Sequence, residues 1–127
     1  MVCYDATTET VRISVRPAYL DGKSDAMERQ FVFAYFVRVE NHGDDDVQLL
    51  RRQWTITDAD GRVQNVEGAG VVGQQPTIPP GGAHEYHSVC VLRTFEGAME
   101  GTYLMQRESG ARFRARIPRF HLVALGN

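Results

Sequence analysis

Gly68-Ala69-Gly70-Val71-Val72-Gly73 has the GxGxxG spacing of loops that hold the phosphates of dinucleotides. That chemistry needs a strand before the loop and a helix after it, because the helix N-terminus supplies the amides and the dipole that hold a pyrophosphate. Residues 74–82 read QQPTIPPGG, and their prolines and glycines forbid that helix. Two readings remain. Backbone N–H groups around Gly68, Gly70 and Gly73 could form an anion nest without any helix. Alternatively, the glycines serve bulges and tight turns.

The other reactive residue types do not converge into a set. His84 and His87 stand three apart on a predicted strand and face opposite sides, a poor metal pair. Asp44, Asp45 and Asp46 lack the spaced oxygen ligands, turn glycine and closing glutamate of a calcium hand, and read as a solvated turn. Cys90 lies among apolar strand residues, where a thiol usually packs rather than reacts. Ser88 has no nucleophile elbow. Glu96 and Glu100 flank a glycine, with nothing to tune them as an acid–base pair. No catalytic residue, metal site or cofactor is expected. Arg112, Arg114 and Arg116 form a stripe on one strand face, and Arg12 and Arg16 repeat it on the first strand. Merged, the stripes would make a basic patch for phosphates or an acidic partner. Separate, they are a solvated face that keeps an edge strand from pairing.

An alternation of period two runs through the chain and positions these residues. Val11 to Arg16 alternates strictly, and Pro17 bends it, ends it or marks an edge. Phe31 to Glu40 is the most apolar segment. Phe31, Phe33, Tyr35, Val37 and Val39 share one face, while Val32, Ala34 and Phe36 make the other apolar too. Residues 41–46 are a turn cluster. In Val47 to Thr57 the apolar phase changes from odd (Val47, Leu49) to even (Leu50, Trp54, Ile56), which predicts a bulge or bend near Leu50. Asp58-Ala59-Asp60-Gly61 reads as a hairpin turn, with Arg62 to Val66 returning. His84 to Leu92, Thr102 to Arg107, Arg112 to Ile117 and Phe120 to Val123 read as strands, with a loop over residues 94–100 and a break at Pro118. Seven or eight strands with close turns, and no helical period, indicate an all-β sandwich or barrel formed by residues 1–127 as a single domain.

The 127 residues are 43% hydrophobic, which suits a buried core, and the formal net charge of -2 provides no global field for nucleic acid or membrane. No apolar stretch is long enough to span a bilayer, and the N-terminus has neither the basic start nor the apolar run of a secretory signal. Cys3 and Cys90 have no metal-ligand spacing and read as free thiols of a reducing compartment. The basic residues are thirteen arginines and one lysine; arginine suits bidentate contacts to carboxylate or phosphate, but coding bias gives the same skew and is the preferred explanation.

The chain closely resembles the ApaG family, also called CorD, over essentially its whole length. The pattern is Trp54-x-Ile56, Gly61, Val66-x-Gly68-x-Gly70-Val71-Val72-Gly73-x-Gln75-Pro76, Pro80-Gly81, Tyr86-x-Ser88, Gly97-x-Met99-x-Gly101-x-Tyr103-x-Met105, Phe113 and Ile117-Pro118-x-Phe120-x-Leu122. The resemblance implies an immunoglobulin-like, fibronectin type III-like β-sandwich of antiparallel strands in a bacterial cytoplasmic protein. It implies an association with cobalt resistance and magnesium efflux, without an assigned enzymatic activity. Related domains in eukaryotic F-box proteins and a polymerase-delta-interacting protein make a non-enzymatic protein-interaction module the natural expectation. The alternative is a sensor that takes a pyrophosphate-bearing nucleotide or a divalent cation at Gly68, Gly70 and Gly73. Another protein is the expected partner, with a second copy joined through an edge strand as a further option; nucleic acid and membrane are not expected. The chain departs from the family pattern at Gln53, where histidine is expected, and at Val91 and Phe95, where proline is. Gln53 removes a metal donor from that position.

Overall fold

The computed structural model describes residues 2–124. Their strands are β1 (Tyr4–Thr8), β2 (Val11–Tyr19), β3 (Phe31–Asn41), β4 (Val47–Asp58), β5 (Val63–Ala69), β6 (Thr77–Ile78), β7 (Ala83–Leu92), β8 (Glu96–Arg107) and β9 (Arg112–Val123). One antiparallel sheet has the order β1-β2-β3-β7 and the other β5-β4-β8-β9, with β6 paired to β4. Without β1 and β6 this is the fibronectin type III-like sandwich. Alternation explains the core. Val11, Ile13 and Val15 of β2, and Phe33, Tyr35, Val37 and Val39 of β3, are buried against Leu49 and Trp54 of β4, Tyr103 and Met105 of β8, and Phe120 and Leu122 of β9. At its centre the Trp54 ring meets Tyr35 at 5.3 Å, Phe120 at 6.0 Å and Tyr103 at 6.3 Å, all edge-on.

The phase change in β4 is a β-bulge. Leu49 pairs with Met105 and Arg51 with Leu104, so Leu50 has no partner in the β8 ladder. Pro17 stays within β2, opposite Tyr35 and beyond the end of β1, where the β2 edge needs no further amide.

Among the described residues there are nine strands where seven or eight are expected, for local reasons. β1 is short and polar, and its alternation shows only once it pairs with β2. β6 is two residues long. Pro118 does not break β9: between the pairs Met99–Phe120 and Gly101–Ile117 the register shifts, and the proline sits in that bulge. The expected loop over residues 94–100 is largely the start of β8. Gly97 lies there because the Thr57 carbonyl of β4 would stand 2.5 Å from a Cβ.

The acidic turn is built into the fold. Asn41, buried, donates from Nδ2 to the carbonyls of Asp45 (2.7 Å) and Ile78 (2.9 Å), and its Oδ1 accepts from the Gly43 amide. Arg107 donates to Asp45 at 3.1 Å.

The two sides of the sandwich differ. On one, β9 lies alongside β1 and β2, so the sheets meet edge to edge. The Thr8 hydroxyl accepts from the Arg116 amide at 3.1 Å, and the Tyr4 ring rests 6.3 Å from Phe120. On the other side the edges of β5 and β7 stand apart, and a cavity of about 310 Å³ opens between them.

Candidate functional site

The glycine motif forms the end of β5 and a tight hairpin. The Val71 amide donates to the Gln74 carbonyl (2.8 Å) and the Gln74 amide to that of Val71 (3.0 Å). Val72 (φ 47°) and Gly73 (φ 76°) are both left-handed, as in a type I′ turn. Gly70 donates to the Leu50 carbonyl at 2.8 Å, and a Cβ on it would collide with the Gln74 carbonyl. The amides of Gly70, Val71 and Gln74 therefore already serve carbonyl oxygens.

Gly68 has a separate reason. The bulge at Leu50 puts Arg52, Trp54 and Ile56 in one phase, so an arginine shares the inner face of β4 with the core tryptophan. Arg52 pairs with Gly68 on one side and Tyr103 on the other. A Cβ on Gly68 would stand 2.7 Å from Arg52 Nη2. The bare backbone lets the guanidinium pass beneath β5, where Nη1 donates to the carbonyls of Ala69 (3.0 Å) and Gly70 (2.9 Å). Among the described residues, no carboxylate lies within ion-pair distance of Arg52.

Arg52 lines the open seam, together with Tyr35, Ser88, Cys90, Gln64 and Val66. Deeper in, the Tyr86 and Tyr103 hydroxyls are hydrogen-bonded to each other. Burial raises the pKa of Tyr35, Tyr86 and Tyr103 above the ordinary value, and Arg52 opposes this only weakly. These hydroxyls are neutral hydrogen-bonding groups at physiological pH. Burial also pushes the Cys90 thiol up to about 11, so it is protonated and a weak nucleophile. A guanidinium beside neutral hydroxyls and an apolar wall can donate hydrogen bonds to an anionic group.

The arginine stripes lie elsewhere. Arg112, Arg114 and Arg116 are exposed on β9, at the opposite edge of the sheet from β5 and the glycine hairpin. Arg112 donates to Gln106 Oε1 (2.8 Å) and Arg114 to Thr102 Oγ1 (3.4 Å). Arg12 pairs with Asp5 (3.2 Å), and the Arg16 guanidinium lies 4.4 Å from the Phe36 ring, both on the other sheet. The stripes and the glycine motif do not share one surface. Sequence reasoning passed over Arg52, although its signal was present: it shares the even phase of Trp54 and Ile56 that the bulge creates.

No helix of the described residues is long and apolar enough to cross a membrane. No group of three or more His, Cys, Asp and Glu side chains among them is placed to hold a metal ion.

The ApaG domain family model matches residues 21–107. The chain is 51% identical to Protein ApaG of Paramagnetospirillum magneticum over 119 residues, 94% of this chain and 92% of that protein. It is 44% identical to Protein ApaG of Brucella suis biovar 1 over the same shares. A Bordetella pertussis protein whose crystal structure carries the name ApaA superposes with a TM-score of 0.87 at 46% identity, over 89% of this chain and 92% of that one. The chain belongs to the ApaG domain family.

Proposed function

We propose that this protein is a non-enzymatic interaction module and that β7 and the outer face beside it receive another protein. The observation that carries this reading is the exposure of Val89 (56%) and Val91 (54%) on β7, which among the described residues is the last strand of its sheet. Phe36, half-exposed on β3, pairs with His87 and extends the apolar strip. An edge with an adjoining apolar face is a recurrent docking element, since backbone groups supply affinity and side chains supply selectivity. The family's association with cobalt resistance and magnesium efflux would then act through the bound partner. A cytoplasmic setting agrees with Cys3 and Cys90 both being free thiols.

Placing a photo-crosslinking amino acid at Val89 in the native bacterium tests this. A discrete partner band at Val89, missing when the probe is at Arg114 on the far edge, is expected. Equal or absent crosslinking at both positions would count against the reading.

A further inference from the structure

We infer that the free edge of β7 takes up an extended acidic peptide as an added strand, and that one of its carboxylates enters the seam to meet Arg52. This rests on the interaction-module reading and names the partner's chemistry. The edge is oriented for it. Asn41 donates to the Gly82 carbonyl, and the β3–β7 register continues in step from that pair. Alternation then directs Tyr86, Ser88 and Cys90 backbone groups toward β3, and those of Glu85, His87, Val89 and Val91 outward.

Edge strands are usually blunted by proline, bulges or charge. β7 has an unbroken register, no proline, and Glu85 as its single carboxylate or arginine/lysine charge over ten residues. The other edges are better defended. β1 and β9 cover one another, and β5 has the Ala69 carbonyl engaged by Arg52.

The cavity sets the side chain. A strand added to β7 places alternate residues on the inner side, over Ser88 and Cys90, where the 310 Å³ cavity and Arg52 lie. Arg52 has no carboxylate within ion-pair distance among the described residues, and a carboxylate accepts from a guanidinium with a charge-assisted bond. The intervening side chains of the peptide fall beside Val89 and Val91, which favours apolar residues there. The fitting partner alternates apolar and acidic residues. A second copy of this chain fits less well: in a β7–β7 pair, the inward side chains of each copy stay in their own core and leave both Arg52 groups unmatched.

The test uses the full chain and two short synthetic peptides, one alternating valine with glutamate and one with glutamine replacing each glutamate, followed by residue-resolved NMR. The glutamate peptide is expected to shift the amides of Glu85, His87, Val89 and Val91 and the Arg52 side chain, and to bind about tenfold or more tightly than the glutamine peptide. Arg52→Gln should erase that preference while leaving edge binding by the glutamine peptide. Val89→Pro, which removes an outward N–H and leaves Arg52 in place, should abolish binding of both. Equal affinity of the wild-type chain for the two peptides overturns the inference without needing a folded variant. So do shifts confined to another surface, or a doubling of mass in solution that Val89→Pro reverses. A partner crosslinked through Val89 but indifferent to Arg52→Gln would retain the interaction-module reading and remove this one.

Discussion

The two seams of the sandwich are made from similar parts and end differently. At the β1–β9 seam an extra N-terminal strand brings the sheets together, with the Thr8 hydroxyl on the Arg116 amide and Tyr4 against Phe120. At the β5–β7 seam the two edge strands stand apart, the Tyr86–Tyr103 hydroxyl pair joins the sheets further in, and polar groups line the cavity: Arg52, Ser88 and Tyr35. The closed seam has the character of a core. The open one keeps an edge, a cavity and an arginine that has no carboxylate within ion-pair distance among the described residues, the features on which the proposed recognition rests.

Substitutions should separate the two. Phe120→Ala, at a residue with no exposed surface whose ring meets Tyr4, Tyr35 and Trp54, should cost about 3–5 kcal/mol in urea unfolding. At the open seam, Tyr86→Phe leaves the fully buried Tyr103 hydroxyl without its partner and should cost about 1–3 kcal/mol. Tyr86→Phe combined with Tyr103→Phe should cost less than the sum of the two single changes, because the second removes the stranded hydroxyl.

A pH titration gives a smaller effect. The folded Cys90 thiol titrates near 11 against an ordinary 9.0, so the folded state holds the proton longer. Its contribution is complete below pH 9 and is lost as pH rises through about 11, with about 1–2 kcal/mol of that loss reached between pH 10 and 11. Cys90→Ala should flatten the fall in stability over that window; an identical slope in both proteins would contradict the assignment. Smallest is Val89→Lys, which should change stability by no more than about 0.5 kcal/mol because the side chain faces solvent. Its effect should fall on partner capture instead, and a large loss of stability would show that the β7 edge is part of the core.

The architecture was legible because alternation is the direct signature of a half-buried strand. The apolar face of β3 and the bulge at Leu50 both follow from it. The family pattern then selected a sandwich over a barrel. The sequence was less informative where pairing overrides a local signal. Pro118 and Gly97 look like breaks, yet one occupies a bulge and the other a close approach of two backbones. The site was hidden for a different reason. Gly68, Gly70 and Gly73 drew attention as a phosphate motif, while Gly68 makes room for Arg52 and Gly70 and Gly73 shape a hairpin. An arginine in the phase of buried residues is a weak signal alone, and that no carboxylate among the described residues lies within ion-pair distance of it appears only when the strands are assembled.

Residue-resolved hydrogen exchange on the free chain tests the central claim, that one seam is shut and the other presents an open strand edge. The outward amides of Val89 and Val91 should exchange orders of magnitude faster than those of Ser88 and Cys90, which face β3, and faster than that of Arg116, which is held by Thr8. Protection of Val89 and Val91 as strong as that of Cys90 would mean that the β7 edge is already covered, and would contradict the account.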